Sequence, residues 1–118
     1  MTKFRFEDLE IWKEAIDICI IFDQIASALE EKKRFRYADQ LRGVGMSVPN
    51  NIAESTGTQM RGEQIQLLRF AHRECFEGAN ILIILHKLDL ISFASKEDLV
   101  ERLDILSRRI SAYSRSFK

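Results

Sequence analysis

Apolar residues recur at steps of four and three along the last quarter of the chain: Leu99, Leu103, Leu106, Ile110, Tyr113 and Phe117. That is the period of a helix with one buried face, and not of a strand. Related spacings return three times upstream with little to interrupt them, because 118 residues hold one proline and five glycines. A many-stranded fold needs more turn residues than that, so long helices joined by short links are predicted. With 46% hydrophobic residues the chain can bury its own core, and disorder is disfavoured. One domain over residues 1–118 is expected.

The first helix is predicted from Asp8 to Leu29. Leu9, Trp12, Ile16 and Cys19 form one apolar stripe, and Ile11, Ala15, Ile18, Phe22, Ile25 and Leu29 a second beside it. Together they make an arc of about 220°, wider than the face one bundle core needs. The excess predicts a subunit interface, with Ile11, Ile18 and Phe22 as contacts. A charged connector, Glu30 to Arg34, leads to the second helix. There Tyr37, Leu41, Val44, Val48 and Ile52 continue the spacing to about Glu54, across Pro49. Proline cannot donate to the Gly45 carbonyl four residues back, so a kinked helix is expected.

The third helix is predicted from Gly62 to Leu88, with Ile65, Leu68, Ala71, Cys75, Ala79, Leu82 and Leu85 inward. Its last third, Ala79 to Leu85, is apolar on nearly every side, and Ile81 to Leu85 alone could be a strand. It continues a helical pattern and so reads as helix rather than buried strand, and Ile81 and Ile84 join the interface candidates. Ser92 to Lys96 make the third turn, with Ser95 and Asp98 resembling a capping box. The fold class is all-α: an antiparallel, up-down-up-down four-helix bundle with its second helix kinked at Pro49.

Few residues suggest chemistry. Cys19 and Cys75 sit among apolar neighbours and read as inert filling rather than a disulfide. His72 and His86 lie 14 residues apart on one helix, about 21 Å along its axis, too far to share a metal. No metal or other cofactor is expected. Glu74 and Glu77 are three apart, with Glu77 close to the core stripe. They read as a structural polar pair before they read as an acid–base pair. Gly43-x-Gly45 lacks the rest of a nucleotide fingerprint. Gln40, Ser47, Asn51 and Glu54 share one face of the second helix around the proline. They form either a buried network that satisfies the carbonyl freed by Pro49 or a ligand contact.

The formal net charge is zero, yet the charge is unevenly placed. The first helix is acidic. Basic residues gather at Lys32 to Arg36 and at Arg42, and after Asp104 there is no acid at all. In an up-down bundle Arg108, Arg109, Arg115 and Lys118 come near Lys3, Arg5 and Arg61. This end could meet phosphates, or it could simply complement a helix dipole. The first residues lack the apolar core of a signal peptide, and no apolar run approaches the roughly 20 residues of a membrane span. A cytoplasmic protein without membrane contact is expected.

Phe6-x-x-Leu9-x-x-Trp12-x-x-Ala15 resembles the opening signature of the 23S rRNA intervening-sequence protein family. Gln40-Leu41-Arg42, followed by Ser47-Val48-Pro49-x-Asn51-Ile52-Ala53-Glu54, is similar to its most diagnostic segment. Ser55 stands where that family usually has glycine, and Arg73-Glu74 where many members have Gly-Ser. The resemblance implies a bacterial, ribosomal protein-like four-helix bundle, assembled as a homopentamer and without enzymatic activity. It implies a distant relation to the accessory protein of diversity-generating retroelements, which is basic and engages nucleic acid. The reading is a non-enzymatic pentameric module binding RNA, or a nucleic-acid-handling protein, through a repeated basic patch. The alternative is a protein-interaction scaffold with no nucleic-acid role, which suits the zero net charge.

Overall fold

The computed structural model describes residues 1–117. A 3-10 turn, Arg5–Asp8, precedes four helices: α1 (Glu10–Glu31), α2 (Phe35–Ser55), α3 (Arg61–Lys87) and α4 (Phe93–Arg115). Among the described residues there is no strand, and no helix is long and apolar enough to cross a membrane.

The opening motif has a local cause. The Phe4 amide donates to a Glu7 carboxylate oxygen at 2.8 Å, closing the 3-10 turn. The turn lays the Phe6 ring on Trp12, with centroids 5.2 Å apart. A phenylalanine six residues before a tryptophan thus becomes a lid over the start of α1.

α1 and α3 end the same way, and neither uses glycine. Lys33 and Asp89 stand at φ 62° and 58°, in the left-handed region. The Arg34 amide then reaches back to the Leu29 carbonyl at 2.8 Å, and the Leu90 amide to Leu85 at 2.9 Å. These are the returning bonds that satisfy orphan carbonyls at a helix end. Leu90 then packs against the core. α4 starts earlier than its sequence suggests. Ser92, not Ser95, is the N-cap: its hydroxyl accepts the Ser95 amide at 3.1 Å. Ser95 is already inside the helix, so no capping box forms with Asp98.

The core takes one stripe from every helix. α1 contributes Ile11, Ala15, Ile18, Phe22, Ala26 and Leu29, all buried. This corrects the expected interface. Ile11, Ile18 and Phe22 face the chain's own core, as does Ile81 on α3, and only Ile84 of the five remains exposed. The stripe left over on α1 is the other one: Trp12, Ile16 and Cys19 are half-buried and Ile20 is 53% exposed. Fully burying a residue like Phe22 matters: truncation to alanine in a packed core costs about 3–5 kcal/mol.

Two glycines permit this packing. A Cβ on Gly45 would lie 3.2 Å from the Phe22 Cβ, where α2 presses on α1. A Cβ on Gly78 would meet Leu103 and Val44 at 3.3 Å and Phe22 at 3.4 Å, so all four helices converge at that point. α2 runs as helix through the buried Pro49.

Helices pack in chain order, α1 on α2, α2 on α3 and α3 on α4, while α1 and α4 touch only slightly. The Cα extents are 44 × 30 × 20 Å. Across the thin α1–α4 seam, Arg102 Nε donates to Glu14 at 3.0 Å.

Candidate functional site

The motif residues of α2 divide between two faces. Arg42 turns toward α1. Its Nε donates to Asp23 at 2.7 Å, and its two terminal nitrogens donate to Glu30 at 2.7 and 3.1 Å, with Ser27 at 3.1 Å. Asp23, Ser27 and Glu30 lie four and three residues apart on α1, so one guanidinium bridges two turns of its neighbour. A planar fork on a carboxylate is the geometry arginine suits best. Arg42 is therefore a fastening between α1 and α2.

Gln40, Ser47 and Asn51 turn toward α3. Gln40 lines a groove of about 650 Å³ with Arg36, Asp39, Glu74 and Glu77. Ser47 and Asn51 line an adjoining one of about 310 Å³ with Phe70, Arg73 and Glu74. Both hollows are open and polar. The Asn51 amide donates to the Ser47 carbonyl at 2.9 Å and hydroxyl at 3.2 Å. The expected donor for the Gly45 carbonyl is thus directed to Ser47 instead. Glu54 is exposed and lines neither hollow, and Glu77 is exposed rather than close to the core. Ser55 is buried, its hydroxyl donating to the Ile52 carbonyl at 2.6 Å. This ends α2 compactly without a glycine. Among the described residues no three His, Cys, Asp or Glu groups gather as metal ligands would.

A second face, between α3 and α4, divides by charge along its length. One stretch, of about 300 Å³, is lined by Arg69 and His72 of α3 and by Ser111, Ser114 and Arg115 of α4, over Ile65, Leu68 and Ile110. The next stretch, of about 470 Å³, is lined by Phe76 and Ala79 of α3 and by Glu97, Val100, Glu101 and Asp104 of α4. The α3 residues 65, 69, 72, 76 and 79 follow steps of four and three, as do 97, 100, 104, 107, 111 and 114 on α4. The two stretches therefore share one face of each helix. His72 packs on Phe76 at their junction, centroids 5.1 Å apart.

Of the cations singled out by sequence, Arg115 lies in the basic stretch. Arg108 is ion-paired with Asp104 one turn back, which raises its already high pKa. Lys3 is held by Asp8 at 2.7 Å. Arg5, Arg61 and Arg109 are exposed, and Lys118 lies outside the described residues. Arg69 and His72 were missed. Their signal was their place, at four and seven residues from Ile65, on the same face as an arginine at the end of α4.

Both thiols are free. Burial pushes the Cys75 thiol up to about 12, with Glu74 adding to it. Burial, with a smaller push from Asp23, raises Cys19 as well.

A family model described as 23S rRNA-intervening sequence protein matches residues 7–112. The fold is similar to the crystal structure of a protein with unknown function from the S23 ribosomal protein family, from Bacteroides thetaiotaomicron VPI-5482. The TM-score is 0.83 at 20% identity, over 88% of this chain and 97% of that one. At that identity the likeness bears on the fold alone. No curated protein matches the chain.

Proposed function

This chain belongs to the 23S rRNA-intervening sequence protein family, and from that premise we propose that it is a non-enzymatic, self-associating module that binds RNA phosphates in the basic stretch of its α3/α4 face. The observation that carries the reading is the company Arg115 keeps. Arg69, His72 and two serine hydroxyls line the same groove, a set of donors suited to phosphate oxygens. Zero net charge does not oppose this, because a local cluster governs phosphate contact.

The same reading takes the bundle as up-down-up-down, with α2 bent at Pro49. Chain-order packing and the missing proline donor support it. It takes the assembly as a pentamer. Ile20, Ile84 and Leu88 support self-association, being 53%, 38% and 42% exposed. Sedimentation showing a stable monomer at micromolar concentration would remove that part.

The binding test is a titration of the protein into labelled structured RNA as salt rises from about 50 to 200 mM. Affinity should fall steeply with salt. Arg69→Glu with Arg115→Glu should weaken binding and make the dependence on log salt shallower by about one to two. An unchanged slope in that variant refutes the assignment.

A further inference from the structure

The stretch of the α3/α4 face beyond Phe76 has no part in phosphate binding, since carboxylates line it and would repel RNA. We infer that it docks a basic amphipathic helix of a partner protein. The groove holds about 470 Å³, with Phe76, Ala79 and Val100 as its apolar lining and Glu97, Glu101 and Asp104 along the α4 side. Among the described residues no Lys or Arg lines it. Phe76 is 61% exposed, a large aromatic left in water in the middle of a long helix.

The chemistry selects the occupant. The three carboxylates stand at steps of four and three on one helix, spanning about 10 Å at 1.5 Å per residue. A ligand that matches them carries cations repeating at the same pitch, which is the property of a second helix. Lys96 engages Glu97 and Arg108 engages Asp104, while Glu101 has no ion pair among the described residues. A peptide adding as a β-strand would need a sheet edge to pair with, and α3 and α4 bond their own backbones internally. An anionic membrane surface is repelled as RNA is. An apolar face laid between two helices, with lysines or arginines at its border, meets both the aromatic and the acids. In a second copy of this chain α4, the helix most basic at its end, is not free to lie there, since Leu106 and Ile110 are already in the core. The inference does not depend on whether the basic stretch binds RNA.

The test uses a labelled synthetic helix of Leu and Lys, about four turns long, with leucine at i, i+3, i+4 and i+7. Two controls accompany it: the same pattern with Glu for Lys, and the same composition scrambled. Anisotropy with the whole protein should show binding in the micromolar range for the Leu/Lys helix and none for either control. Glu97→Lys with Glu101→Lys, and separately Phe76→Ser, should each weaken it by about tenfold or more. Far-ultraviolet circular dichroism and Tm should show both variants folded. Absence of binding, equal binding of the Glu control, or unchanged affinity in both folded variants overturns the inference. So does a fall in sedimenting mass on Phe76→Ser alone, since a second copy would then be the occupant.

Discussion

At Arg42 the family motif meets a physical task. Its bond to Glu30 holds that carboxyl below the usual glutamate range, the Arg42 hydrogen bond being the first cause. A carboxyl whose folded pKa is depressed adds stability that is present above its unfolded pKa and is lost as pH falls through the folded one. Wild type should therefore melt higher than Arg42→Met at neutral pH. The gap in Tm should narrow as pH is taken below the ordinary glutamate range near 4.5. A gap independent of pH would assign the effect to the arginine's stem rather than its charge. Cys75 gives a second residue-scale test. Only the thiolate is nucleophilic, so a thiol raised to about 12 in a buried site should resist labelling at pH 8 until the protein unfolds. Cys19, half-buried and also raised, should react first. Sequence made Arg42 visible as a motif residue and Cys75 as a core residue. It did not show what Arg42 holds, because Asp23, Ser27 and Glu30 become its partners only once α1 and α2 are in phase.

At the scale of elements, the four helices were legible because long periodic runs dominate the chain, and their ends were less so. Ser92 and Ser95 both offer a capping hydroxyl. Asp98, three residues on, points to Ser95, whereas the structure caps α4 with Ser92 and starts it at Phe93. The wide apolar arc on α1 is legible in the sequence, but an arc that broad has no marked centre. The stripe of Ile11, Ile18 and Phe22 turned inward and the Trp12 and Ile16 side was left at the border. The glycines of α2 separate backbone cost from packing need. Nothing lies within 4 Å of a Cβ on Gly43, so Gly43→Ala should stabilise by about 0.5–1 kcal/mol through helix propensity. Gly45→Leu should destabilise by about 1–3 kcal/mol, because Phe22 occupies the space. Chemical denaturation of the two variants checks both signs.

On the scale of the whole molecule, the divided α3/α4 face was the least legible feature. The late basic cluster was plain in sequence, but its neighbours depend on how α3 is rotated against α4. That rotation, set by Gly78 against Leu103 and by the buried stripes, brings Arg69 and His72 to Arg115. The chain-order packing has a further consequence, for how the fold is reached. Among the described residues most contacts join helices adjacent in sequence, and the α1–α4 seam between first and last helix is slight. Closing short links is entropically cheap, and folds built from local contacts form in milliseconds or faster. The main phase of stopped-flow refolding should therefore be complete on the order of milliseconds. As the chain is synthesised, each new helix meets its main partner already made. For α1, the seam bridged by Arg102 and Glu14 is the contact that waits for the last helix.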